Sequence, residues 1–170
     1  MGRSKLILEL PCGGGRITPA IAGATEFLIE ADIAIGQLRF ARANSDVATP
    51  RAWLAASAFH VPLRDRSVDG AVCVRLAHHL ATEPEQDRLI GELMRVSRRF
   101  VILTFYDPRS LKNVTRRLRH PIRPKPEKPA MTVERIAALA QAGGGRLVEA
   151  TPLSRLVSGH RFALIAKERS

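Results

Sequence analysis

The chain has 170 residues, of which 45% are apolar and only 5% aromatic, and it carries a formal net charge of +11. This length excludes several independent domains and predicts one domain over residues 1–170. No apolar run approaches the ~18 residues of a membrane span, no signal peptide is recognisable and the two cysteines are typical of a reducing compartment, so we expect a cytoplasmic protein without a disulfide.

The first predicted strand ends in a turn made of glycine. Residues 6–10 form a short apolar run interrupted only by Glu9, and Gly13, Gly14 and Gly15 follow shortly after it. Glycine permits positive φ angles and leaves no Cβ between the backbone and a bound molecule. Because a helix is predicted over residues 16–22, the region has the strand, glycine turn and helix of a nucleotide-binding unit in a doubly wound α/β protein.

A second acid, Asp32, follows the next predicted strand, which covers residues 26–31. Two compatible roles are open for it: cap of the helix predicted over residues 33–44, or acceptor of hydrogen bonds from a ligand at the glycine turn. A dinucleotide would require glycine at position 18, where the chain has Thr18, and is therefore disfavoured. A turn that binds no ligand is the remaining alternative.

The later elements alternate between strand and helix. Strands are predicted over residues 53–55, 68–74 and 100–106, the last apolar throughout and therefore buried on both faces. Thr82 and Glu85 have the spacing of a capping box, and Thr132 caps a further helix. Strands over residues 146–150 and 162–166 meet at a turn near Ser158. The pattern predicts an α/β fold with a mostly parallel seven-stranded sheet, helices on both faces and a C-terminal antiparallel hairpin.

Residues 108–130 are predicted to form a basic lid or insertion between the fifth strand and the last helix. Residues 109–128 alone contribute +7 to the net charge, and Leu111, Val114 and Leu118 share one helical face. Such a segment is either a solvated lid or a site for an anionic substrate, a lipid headgroup or nucleic acid. No aromatic residue is interleaved with the basic ones, which favours a small anionic molecule, or a lipid at an anionic membrane surface, over RNA.

Candidate substrate residues follow the fourth and fifth strands. Tyr106 and Asp107 come at the carboxyl end of the fifth strand, the edge where ligands bind in such sheets, and Arg116 lies in the basic segment. Asp107 is alternatively a helix cap. His78 and His79 are candidates for a general base. Because they have no Cys, Asp or Glu at ligand spacing, they make a poor metal site and no metal is expected.

Several stretches of the chain share a pattern with one enzyme family. The stretches are Glu9 with Cys12-Gly13-Gly14-Gly15 and Asp32, Phe59–Leu63 with Asp65–Val72, Leu76–Leu80, and Glu92–Val96. Together they resemble the class I S-adenosylmethionine-dependent methyltransferases of type 11, and the resemblance runs from Leu6 to Lys167. It implies a Rossmann-like doubly wound sheet, S-adenosylmethionine as the cofactor and methyl transfer as the reaction.

The resemblance also implies where the cofactor binds. Glu9 would hold the turn or reach the methionine amino group, and Asp32 would accept hydrogen bonds from the ribose hydroxyls. The implied cofactor-binding residues are Glu9, Pro11, Cys12, Gly13, Gly15, Asp32, Ile33, Ser57, Ala58, Phe59 and Arg75.

The chain departs from the family pattern at three places. Pro11 stands where a glycine is usual and removes one backbone donor, and Ser57 stands where an aspartate often receives the adenine amino group. The helix that covers the cofactor in the family has no counterpart before the first strand. We therefore expect a partner subunit, the basic segment or an upstream sequence to supply the cover.

The expected function is transfer of a methyl group from S-adenosylmethionine to an unidentified acceptor, with an anionic small molecule or a lipid favoured. One alternative is a non-catalytic S-adenosylmethionine-binding or interaction subunit, motivated by the missing cover and by Ser57. The other is an RNA-modifying methyltransferase.

Overall fold

A computed structural model describes residues 3–44, 46–107, 131–153 and 160–168. Seven strands form one sheet in this part of the chain, in the order β3-β2-β1-β4-β5-β7-β6. The strands are β1 Ser4–Glu9, β2 Thr25–Asp32, β3 Arg51–Ala55, β4 Val68–Cys73, β5 Ser97–Tyr106, β6 Gly145–Pro152 and β7 His160–Lys167. The helices are α1 Thr18–Ala22, α2 Ile35–Asn44, α3 Glu83–Val96 and α4 Val133–Ala142, with a 3-10 turn at Ala77–His79.

The sheet is parallel over its first five strands and antiparallel at its end. β1 pairs with both β2 and β4, β2 with β3, and β4 with β5, all in parallel. β7 is antiparallel to both β5 and β6 and lies between them. The predicted doubly wound sheet with an antiparallel hairpin is thereby confirmed. Its strand order reverses between β1 and β4, and ligands of such sheets bind in the crevice at that point.

Helices cover both faces of the sheet. On one face, α3 and α4 pack with Leu8, Leu103 and Ile165 in the largest hydrophobic cluster. On the other face, Ile21 of α1 packs with Ile7 in a smaller cluster, and α2 packs near Cys12. Side chains along a strand alternate between the two faces of the sheet, so each face has apolar side chains to cover. On each face, the apolar side of a helix packs against them.

The capping box predicted at the start of α3 is confirmed. The Thr82 hydroxyl accepts a hydrogen bond from the Glu85 N–H at 3.4 Å, and the Glu85 carboxylate accepts one from the Thr82 N–H at 2.9 Å. These contacts satisfy two donors that a helix start otherwise leaves unpaired. The buried side of α3 then follows the predicted apolar spacing.

Three predictions about elements are corrected. The first helix begins at Thr18 rather than at residue 16, and β5 begins at Ser97, directly after α3. The prediction that β5 is buried on both faces is wrong: Leu103 is buried, whereas Ile102 is only half-buried and lines a shallow apolar groove with Phe162. Apolarity alone therefore did not determine which face of β5 is covered.

Several predictions fall outside the described residues. These are the turn near Ser158, residues 108–130 with the helical face of Leu111, Val114 and Leu118, and the candidate Arg116. Among the residues that the structure describes, no helix is long and apolar enough to cross a bilayer.

Candidate functional site

The glycine turn after β1 requires glycine for its backbone conformation. Gly13 has φ of +52° and Gly15 has φ of +78°, in the left-handed region that side-chain-bearing residues rarely adopt. A Cβ added to Gly13 would meet no atom within 4 Å. The Cys12 N–H donates to the Ala31 carbonyl at 2.8 Å, which ties the turn to β2. The turn is thus held in place while the space beside Gly13 stays open.

Asp32 joins the end of β2 to this turn. Its Oδ2 accepts a hydrogen bond from the Gly13 N–H at 2.9 Å, and its Oδ1 accepts one from the Ala34 N–H at 2.8 Å. Both roles left open by the sequence are therefore compatible with its contacts, since it binds backbone just before α2 and also touches the turn. Each carboxylate oxygen has a further lone pair for another donor.

Glu9 lies fully buried beside the turn with one oxygen unpaired. Its Oε2 accepts a hydrogen bond from the Thr18 hydroxyl at 2.8 Å, whereas Oε1 has no partner among the described residues. Burial raises the pKa of Glu9 to about 8, against the lowering effect of the Thr18 hydrogen bond, and the neighbouring Glu30 carboxylate raises it further. A buried acceptor of this kind is costly unless a proton or a cationic donor meets it.

The loop after β3 approaches the same edge. The Ala56 N–H donates to the Asp32 carbonyl at 3.1 Å, and the Ser57 hydroxyl accepts from the Phe59 N–H at 3.2 Å. Ile33, directly after Asp32, leaves 75% of its surface exposed. An apolar side chain is thereby presented to solvent beside a carboxylate, at the edge where the sheet binds ligands.

Glu92 and Arg95 hold the continuation of that loop. The Glu92 carboxylate accepts from the Val61 N–H at 2.9 Å, and the Arg95 guanidinium donates to the carbonyls of Val61 and Leu63, each at 2.9 Å. Arg95 also pairs with Asp65 at 2.6 Å. Glu92 and Arg95, which belong to the family pattern at the end of α3, therefore tie this helix to the loop that carries Ser57.

We call the carboxyl ends of β1, β2 and β3, with the loops that follow them, the turn side. We call the carboxyl ends of β4 and β5, together with the start of the antiparallel β7 at the same edge of the sheet, the ring side. On the ring side, His78 lies 4.2 Å from His79 and 4.8 Å from His160 between ring centroids, and His160 lies 5.5 Å from Tyr106. Local patterns pointed to the other three rings but missed His160. The final strand was predicted to start only at residue 162, so no sequence signal placed His160 at this edge.

Arg75 brings the chain from β4 towards these rings. Its φ of +64° is in the left-handed region, and its N–H donates to the Thr104 hydroxyl of β5 at 2.7 Å. The 3-10 turn Ala77–His79 follows. Thr104 was not among the predicted residues, and no sequence signal distinguished it inside an apolar strand.

Asp107 forms an ion pair with β7, and its alternative role as a helix cap stays a prediction, because residues 108–130 lie outside the described part of the chain. Its Oδ2 lies 2.7 Å from the Arg161 guanidinium, and only 5% of the residue is exposed. The described ranges contain no cluster of histidine, cysteine or acidic residues able to hold a metal ion.

The motif residue Asp69 lies at the opposite, amino edge of the sheet. Its carboxylate accepts from the N–H groups of Lys5 at 2.6 Å and Leu6 at 3.0 Å, and pairs with Arg98 at 2.7 Å. Burial alone would raise its pKa, but these hydrogen bonds and the Arg98 charge lower it below its usual value. Asp69 therefore stabilises the pairing of β1 and β4 at a distance from the site.

We compared the sequence with models of protein families and with curated proteins. The sequence profile of the family described as "Methyltransferase domain" matches residues 8–105, more than half of the chain. No curated protein matches the sequence.

Solved structures share the fold. Magnesium protoporphyrin IX methyltransferase from Synechocystis PCC 6803, with bound SAH, has a TM-score of 0.80 and 16% identity over 98% of this chain and 75% of that one. A SAM-dependent methyltransferase from Methanosarcina mazei has a TM-score of 0.75 and 19% identity over 100% and 95%. A chain from the complex of the Haloferax volcanii Trm112 methyltransferase activator with its methyltransferase-like partner has a TM-score of 0.77 and 12% identity over 99% and 85%.

Proposed function

Because the chain belongs to the methyltransferase domain family, we propose that it is an S-adenosylmethionine-dependent methyltransferase. The observation that carries the proposal is the junction of Asp32 with the glycine turn. It combines an acceptor pair for a sugar diol with a backbone that a ligand can approach closely.

Two features of the turn side support binding of S-adenosylmethionine there. The space beside Gly13 is open, and the unpaired Oε1 of Glu9 is an acceptor for an ammonium donor. Asp32 would bind the ribose hydroxyls, and the exposed Ile33 would lie against the adenine. The proposed cofactor-binding residues are Glu9, Pro11, Cys12, Gly13, Gly15, Asp32, Ile33, Ser57, Ala58, Phe59 and Arg75.

The bound cofactor supplies a methyl carbon activated by a sulfonium. The chain itself would contribute orientation, by fixing the adenosine at the turn side, and exclusion of water from the path of the methyl group. Tyr106 and Asp107 are proposed to line the acceptor position on the ring side, and Arg116 stays a prediction. The favoured acceptor is an anionic small molecule or lipid, on the basis of the +7 charge of residues 109–128 in the sequence.

A partner subunit over the cofactor site is a further part of the proposal. A similar structure comes from a complex with a methyltransferase activator, so a chain of this fold can work beside a second protein. Size-exclusion chromatography of the purified protein, with and without cofactor, would test whether cofactor binding alone changes its assembly.

A non-catalytic cofactor-binding subunit is the second candidate. Ser57 favours it, because its hydroxyl is shorter than an aspartate and already accepts the Phe59 N–H. Binding of the cofactor without turnover over a broad acceptor panel would support this candidate.

Thermal unfolding with three ligands tests the proposed function. We expect S-adenosylmethionine and S-adenosylhomocysteine to raise the Tm, because both join adenosine directly to an amino acid. NAD also contains adenosine, but its pyrophosphate would need the glycine that Thr18 replaces, so NAD should leave the Tm unchanged. Stabilisation by NAD alone would eliminate the methyltransferase proposal.

A further inference from the structure

Four aromatic side chains form one continuous group on the ring side, which we call the ring cluster: His78, His79, Tyr106 and His160. His160 is central, with ring centroids 4.8 Å from His78 and 5.5 Å from Tyr106, at interplanar angles of 69° and 68°. These are the edge-to-face arrangements that aromatic rings prefer. All but His79 are half-buried, so the cluster is partly open to solvent.

Backbone contacts fix where the rings lie. Tyr106 and His160 are register partners in the β5–β7 pair, and the His160 carbonyl accepts from the Leu153 N–H at 2.9 Å. The hydrogen bond from the Arg75 N–H to Thr104 anchors the start of the segment that carries His78 to β5. Three separate parts of the chain therefore bring their rings to the edge that also carries the glycine turn.

Of the groups near the ring cluster, the His160 imidazole is the one suited to accept a proton. The ring contacts of His160 are with His78 from the β4 exit and Tyr106 from β5, whereas Arg161, the next residue of β7, points to the opposite face of the sheet. The Asp107 carboxylate is buried and pairs with Arg161, so it offsets a guanidinium charge. Imidazole exchanges a proton near neutral pH, which suits a general base.

The geometry points to an acceptor site for a flat aromatic compound that carries a hydroxyl group, with His160 as its general base. This inference rests on the proposed function and names the substrate class. A flat acceptor would find ring faces and edges to pack against, and its oxygen would meet an imidazole nitrogen. The imidazolium formed at His160 would stabilise the ionised oxygen.

The reaction balances with the groups named. The hydroxyl proton passes to the His160 imidazole, and an electron pair of the oxygen forms the new bond to the methyl carbon. The bond from that carbon to sulfur breaks, and its electron pair stays on sulfur. The products are a methyl ether, S-adenosylhomocysteine and an imidazolium that returns its proton to solvent.

The probe for this site is 4-nitrophenol, whose ionised form absorbs differently from its neutral form. We expect the wild-type protein to raise the ionised fraction at neutral pH in a saturable way. His160→Gln should weaken this binding at least about tenfold, the equivalent of losing one charge-assisted hydrogen bond. His60→Gln, which changes an exposed histidine on the turn side, is the matched control and should behave as wild type. No rise in wild type, or an equal rise in His160→Gln, would overturn the inference.

A second measurement needs no substitution. Tyr106 is the chain's single tyrosine, so 3-fluorotyrosine labelling gives one fluorine signal. That signal should shift as 4-nitrophenol is added, and a signal that does not move would also overturn the inference. Neither readout uses S-adenosylmethionine. A failure here, with the cofactor-induced Tm shift retained, would leave the proposed function intact.

Discussion

The turn side and the ring side share one edge of the sheet but are built from different groups. On the turn side, a carboxylate binds backbone N–H groups within a short reach, as Asp32 does with Gly13 and Ala34. On the ring side, rings from residues 78, 106 and 160 meet across three elements. Fixed carboxylates and backbone groups suit adenosine, which is the same before and after methyl transfer. Imidazoles suit an acceptor that must lose a proton.

The largest expected effect is on the turn side. Asp32→Ala should abolish the Tm shift caused by S-adenosylmethionine and weaken its binding at least about 100-fold, since two hydrogen bonds to a carboxylate are worth about 3 kcal/mol or more together. Isothermal titration calorimetry measures the loss. Asp87→Ala, an exposed aspartate of α3, is the control and should bind normally. Unchanged binding by Asp32→Ala would show that the ribose contact is misassigned.

The next effect concerns Glu9 and pH. Its pKa is raised to about 8 in the folded protein, so its contribution to stability is complete below the unfolded value near 4.5 and is lost as pH rises through 8. Between pH 5 and pH 9 the cofactor-free wild type should lose roughly 3 to 5 kcal/mol relative to Glu9→Gln, which cannot ionise. Urea unfolding at both pH values measures this, and parallel changes in the two proteins would contradict it.

A smaller effect is expected where α3 holds the loop of the turn side. Arg95→Ala removes hydrogen bonds to two carbonyls and two carboxylates. Because Arg95 is part-exposed, we expect a loss of about 1 to 3 kcal/mol in unfolding free energy, together with weaker cofactor binding. Urea unfolding and calorimetry measure these, and the exposed Arg16→Ala is the control. Normal cofactor binding by Arg95→Ala would show that the loop does not contribute.

The smallest expected effect separates the two sides. His160→Gln should leave the Tm shift caused by S-adenosylmethionine unchanged, because the ring contacts of His160 are with His78 and Tyr106 on the ring side. Thermal unfolding with the cofactor measures it. A smaller Tm shift would mean that His160 also contributes to cofactor binding and that the two sides are not independent.

The sequence predicted more residues of the turn side than of the ring side, and the reason is physical. Glu9, the glycines and Asp32 lie in one unit of strand, turn, helix and strand, so their spacing predicted a shared site. The capping box of Thr82 and Glu85 was equally local. His160 is brought to Tyr106 by β-sheet register, which depends on where β7 inserts. The half-buried position of Ile102 in β5 was likewise missed, because coverage depends on neighbours in space.

The position of β7 between β5 and β6 has a consequence for the order in which the protein matures. A chain emerging from the ribosome delivers residues 4–75, and with them all of the proposed cofactor-binding residues, long before it delivers residues 160–167. We expect nascent chains to bind the cofactor before they can use it. Translation would have to reach the last strand before methyl transfer begins.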